Sequence, residues 1–140
     1  MARLYAQLCA AVFLLFGVGG LFVGSAAAGN TSGNIGSIVL HLTWVRDVLD
    51  LGLLGVFAWI GFAADRHAGR LAMGITGAVL LVLGIVGFIY GDDAGATRGF
   101  LGMHWSTALN VLDLVVGGLG VLAALGTVED EEPERSVLRS

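Results

Sequence analysis

Long apolar stretches alternate with short polar ones along this chain, and the lengths of the apolar stretches set the first expectation. "LYAQLCAAVFLLFGVGGLFVG" (4–24) and "LAMGITGAVLLVLGIVGFIYG" (71–91) hold no charged residue over 21 positions each. A helix rising about 1.5 Å per residue crosses a hydrocarbon core about 30 Å thick in that length. Two further runs, 48–64 and 111–126, are apolar apart from Asp50 and Asp113. Backbone polar groups inside lipid must pair within their own segment, so runs this long without period-two alternation predict helices rather than barrel strands. The expected fold is all-α: four transmembrane helices.

The pattern also repeats. A shift of 67 positions lays "RLYAQLCAAVFLLFGVGGLFVG" over "RLAMGITGAVLLVLGIVGFIYG", matching Arg3 with Arg70 and Gly17, Gly20 and Gly24 with Gly84, Gly87 and Gly91. A shift of 63 lays "DVLDLGLLG" over "NVLDLVVGG", with His41 on His104 and Gly55 on Gly118. The chain reads as a duplicated helical hairpin, repeat one over 3–64 and repeat two over 70–126, followed by a tail over 127–140. Each unit has an even number of spans, so the repeats run parallel about an axis along the membrane normal, and a pseudo-twofold four-helix bundle is expected. Gly20 with Gly24, and Gly87 with Gly91, form GxxxG steps that let backbones approach and are read as helix-packing positions.

Composition agrees: 56% of residues are hydrophobic and 13% charged, with 23 glycines and a mean hydropathy of +0.88. All seven basic residues are arginine, and five of the eleven acids lie in the tail "EDEEPERSVLRS". That leaves no basic surface for nucleic acid, and the acidic tail reads as solvated chain. Cys9 is the sole cysteine, which rules out an intramolecular disulfide and CxxC chemistry and suits a small buried apolar residue. "SAAAGN" resembles a signal-peptidase site, but the first apolar run exceeds the ~7–15 residues of a signal core and is read as a retained helix. Arg3, Arg66 and Arg70 fall on one side and the uncharged first connection on the other, which places both termini in the cytoplasm of a multi-pass plasma-membrane protein.

The polar exception is "RDVLDLGLLG" (46–55). At about 100° per residue, Thr43, Arg46, Asp47 and Asp50 share one helical arc, and their repeat equivalents are Ser106, Leu109, Asn110 and Asp113. A carboxylate facing lipid is disfavoured by ~2.5–3.5 kcal/mol, so Asp50 and Asp113 should face the interior, with Arg46 able to serve either. The expectation is a structural polar clamp of Thr43, Arg46, Asp47, Asp50, Ser106, Asn110 and Asp113. The alternative is a proton- or cation-coupled carrier using Asp50 and Asp113.

His41 and Trp44, like His104 and Trp105, suit interface anchors; a haem- or metal-binding redox component is a third reading, without a ligand spacing to support it. His41 stands nine residues before Asp50, half a turn away on a continuous helix, so contact between them would need a break near Val45 and another near Ala108.

The paired hairpins, the glycine-rich odd helices and the elements "RDVLDLGLLG" and "LNVLDLVVGG" resemble the bacterial membrane family catalogued as domain of unknown function 4383, over roughly 4–126. In that family's pattern a histidine commonly stands where Asp50 and Asp113 stand here, so the resemblance implies fold and topology and no histidine chemistry. The functional expectation is a non-enzymatic structural or accessory subunit without a cofactor. Its partners would be the lipid bilayer and a larger membrane complex or a homo-oligomer.

Overall fold

The computed structural model describes residues 1–23, 30–35, 38–90 and 105–126, with side chains over 1–20, 45–90 and 105–126. Helix α1 (Ala2–Val23) is followed by strands β1 (Asn30–Ile35) and β2 (Ile38–Thr43). Then come α2 (Trp44–Ala58), a π-helical turn (Trp59–Ala63), α3 (Arg66–Tyr90) and α4 (Thr107–Leu125). Three helical stretches, Ala2–Gly20, Arg66–Tyr90 and Thr107–Leu125, are long and apolar enough to cross a membrane.

Two boundaries differ from the sequence expectation. The first connection is not all loop: β1 and β2 pair antiparallel from Asn30 opposite Thr43 to Ile35 opposite Ile38. Asn, Ser and Gly in β1 carry little strand propensity, but the β-branched start of β2 supplies it and backbone pairing satisfies both segments. Thr43 therefore closes a strand and does not lie on the helical arc of Arg46. The break falls between Thr43 and Trp44, with a second one before Thr107.

The second difference is the end of α2. Ala64 N–H donates to the Trp59 carbonyl at 2.8 Å, an i→i−5 bond that widens the last turn. Gln7 Nε2 of α1 donates to the Gly61 carbonyl at 3.0 Å, and Gly61 is the residue that allows it, since an added Cβ would stand 2.9 Å from Gln7 Cγ. Only Ala64 and Asp65 separate this turn from α3, whose first turn is capped by Asp65 Oδ1 accepting from Ala68 N–H at 2.8 Å.

Contacts are densest within two hairpins, α1 against α2 and α3 against α4. In the first, Gly17 lies against Leu51 and Gly20 against Asp47; in the second, Gly84 lies against Leu114 and Gly87 against Asn110. The closest approach of backbone to backbone is the crossing of Gly77 and Gly117: a Cβ on Gly77 would stand 2.8 Å from the Gly117 carbonyl oxygen. Between the hairpins runs an apolar core of Ala6, Cys9, Phe13, Phe57, Met73, Leu80 and Val116, with Phe13 stacked on Phe57 at 5.5 Å. Tyr5 Oη donates across it to the Val116 carbonyl at 2.8 Å. The outer faces are apolar too: Leu8, Leu15, Phe62, Ile75, Ile89 and Leu122 are exposed, while Arg46, Asp50 and Asp113 are buried. That inverts the arrangement of a protein surrounded by water.

A buried ionic clamp as the candidate functional site

Arg46 enters the interior from the first turn of α2. Its Nη1 donates to Asp113 Oδ2 and its Nη2 to Asp113 Oδ1, both at 2.7 Å, so the guanidinium fork holds the α4 carboxylate with two parallel bonds across 67 positions of chain. Charge-assisted bonds of this length and geometry are the strong class, and the planar fork is the reason lysine cannot replace arginine here. Its Nε also stands 3.0 Å from Asp50 Oδ1, one turn along α2, off the N–H direction, so that contact is ionic rather than a hydrogen bond. One guanidinium thus meets two carboxylates, with Arg46 2% exposed and both aspartates at 0%.

The bridge spans a gap. Backbone contacts between α2 and α4 are too sparse to rank with those inside the hairpins, and it is the length of the arginine side chain that joins them at this level. At the matching position of α4 stands Leu109, which is buried and apolar, so the second hairpin brings a carboxylate without a cation of its own.

Three other members of the expected clamp, Ser106, Asp47 and Asn110, do other things. Ser106 is buried and caps α4, its hydroxyl accepting from Leu109 N–H at 3.4 Å, because a serine with extended backbone just before a helix meets the orphan N–H groups of the first turn. Asp47 is 3% exposed, turned into the slot over Gly20, where Oδ1 accepts no hydrogen bond. Asn110, 1% exposed, does the same over Gly87, and its Oδ1 also lacks a donor. Neither bonds Arg46: at 100° per residue they are rotated from Asp50 and Asp113 toward the partner helix of their own hairpin. Thr43 belongs to β2, and its side chain lies outside the described residues, as do those of His41 and Trp44. His104, Gly24, Gly91 and the tail over 127–140 lie outside them altogether.

Trp105, expected as an interface anchor, is buried, with its Cε3 against the open face of Gly87; the missing side chain there makes the slot that receives the indole. Sequence reasoning missed the Gly77–Gly117 crossing and the bonds from Tyr5 and Gln7 to carbonyls. It also missed those from Arg3 Nη2 to the Ala64 carbonyl at 3.1 Å and from Arg70 Nε to the Ala124 carbonyl at 3.0 Å. The matched pair Arg3 and Arg70 was the one available signal. Among the described residues, no three His, Cys, Asp or Glu side chains are disposed to hold a metal ion.

No protein-family profile, curated protein or solved structure matches this chain.

Proposed function

We propose that this is a four-span protein of the cytoplasmic membrane, acting as a non-enzymatic structural or accessory subunit whose two hairpins are locked by Arg46. The observation that carries it is the doubly bonded Arg46–Asp113 pair, buried at the join between hairpins. A pair held at 2.7 Å on both oxygens has the geometry of a lock, since a carrier must release its coupling residue in each cycle. Lipid is the natural cover for the exposed leucines, isoleucines and phenylalanines. The basic ends of α1 and α3 then fall on the cytoplasmic side, where Arg3 and Arg70 close the last turns of the neighbouring helices. The equivalent contacts Gly17–Leu51 and Gly84–Leu114, and Gly20–Asp47 and Gly87–Asn110, support an internal duplication. The family likeness of the two "VLD" elements is part of the same proposal.

The test is reconstitution of the purified protein in liposomes, with proton and cation flux measured under an imposed gradient, beside unfolding of Asp113→Asn in detergent. A structural role predicts no flux and a less stable variant. Flux that disappears in a variant of unchanged stability would establish the carrier instead. Mild extraction of the native membrane and identification of co-purifying proteins then names the assembly.

A further inference from the structure

The charges at the clamp do not balance. Arg46 gives both of its terminal nitrogens to Asp113, while Asp50, at 0% exposure, has an Oδ2 that accepts no hydrogen bond and an Oδ1 that meets Arg46 only ionically. The titratable and charged groups that the described elements bring to Asp50 are Arg46 and Asp47 on its own helix and Asp113 from α4. The facing halves of α1 (12–20) and α3 (77–89) contain none. Among the described residues three carboxylates therefore stand with one guanidinium, and Asp47 adds a third negative charge rather than relief. A buried carboxylate with an open oxygen and a neighbour of like charge is neutralised by a proton or by a cation. A cation needs several converging oxygens, and among the described residues no three His, Cys, Asp or Glu side chains are disposed to hold one.

We propose that Asp50 is a proton-binding site: the clamp consists of Arg46, ionised Asp113 and a neutral Asp50 carboxylic acid at the join of the two hairpins. The proton sits on the open Oδ2, where it changes an acceptor without a donor into a donor, and leaves the cluster of Arg46, Asp50 and Asp113 electrically neutral. Asp50 rather than Asp113 holds it, because protonating Asp113 would give up one of two short charge-assisted bonds, whereas protonating Asp50 gives up no hydrogen bond and only its ionic contact with Arg46 Nε. The inference rests on the membrane-bundle reading, since only water-free surroundings keep the acid neutral at ordinary pH.

Infrared difference spectroscopy of the full chain in lipid nanodiscs at neutral pH reads this directly. The wild type is expected to show a protonated-carboxyl C=O band that disappears in Asp50→Asn and persists in Asp47→Asn. Asp50→Asn keeps the shape of the neutral acid, so it is expected to unfold at the wild-type temperature. Carbon-13 labelling of the aspartates in the wild type supplies a count of neutral side chains that depends on no variant. An aspartate signal set that is wholly ionised at neutral pH overturns the proposal, as does a stability that depends on added sodium or potassium, which would assign the site to a cation. Either result leaves the Arg46–Asp113 lock standing, whereas a wild-type stability unchanged by Asp113→Asn would remove the lock and leave the proton measurable.

Discussion

Replacing Arg46 with methionine keeps much of the side chain's length and removes its charge. Asp113 is then left at 0% exposure without the two 2.7 Å bonds that hold it. Removing one partner of a buried ion pair costs about 3–5 kcal/mol. A second route gives a similar figure. The stranded carboxyl escapes its burial by taking up a proton, and neutralising a group of ordinary pKa about 4 at pH 7 costs about 3 pH units at 1.36 kcal/mol each, or ~4 kcal/mol. The two routes differ in what they predict on acidification. If the loss is the cost of a proton, then at pH 5 only about one unit separates solution from the group, and the deficit shrinks to ~1.5 kcal/mol. Arg46→Met should therefore unfold ~4 kcal/mol more easily than the wild type at pH 7, and recover more than half of the difference at pH 5. Denaturant titrations in one detergent at both pH values, followed by tryptophan fluorescence, measure it. A deficit below about 1 kcal/mol at pH 7 would refute the lock, and one that does not change with pH would refute stranded charge as its cause.

Other expectations follow from single contacts. Gly77→Ala drives a methyl into the Gly117 carbonyl and the Val121 N–H, both backbone atoms at 2.8 Å, and should cost roughly 1–3 kcal/mol in the same titration. Gly52→Ala meets nothing within 4 Å on an exposed helical face, so it should stabilise by roughly 0.5–1 kcal/mol through helix propensity; a loss there would show that the open face is covered. Tyr5→Phe removes the bond to the Val116 carbonyl and is expected to lower stability by about 1 kcal/mol without changing the pH dependence.

Much of this arrangement was legible in the sequence, for a physical reason. Charge inside an apolar run is costly enough that Asp50 and Asp113 had to turn inward, and only Arg46 among the span residues could meet them. The sequence left open whether it serves one aspartate or both, because an i,i+4 partner and a distant one are equally within reach of a long side chain. Ser106 was misplaced, and the backbone of Thr43 set on a helix and not in a strand, because a helical projection assumes that the helix continues; side-chain oxygens at helix starts are more often caps, and Ser106 is one. Asp47 and Asn110 were grouped with the clamp by arc alone, yet standing three residues before Asp50 and Asp113 turns each about 60° away, toward its own glycine. The π-helical turn left no advance sign, and the bond from Gln7 to Gly61 within it joins residues more than fifty positions apart. The close approach of Gly77 and Gly117 was hidden among 23 glycines, of which Gly19, Gly52 and Gly55 meet nothing within 4 Å.

The uneven charge of the two hairpins also bears on which halves can meet. A second hairpin meeting a copy of itself would bring together two Asp113 side chains with a buried leucine where a cation is needed, so that pairing selects against itself. Meeting the first hairpin supplies the one guanidinium that fits. Two units with near-identical glycine contacts are in this way made non-interchangeable by a single side chain, and the correct mate for α3–α4 is chosen by charge while the fit is made by glycine.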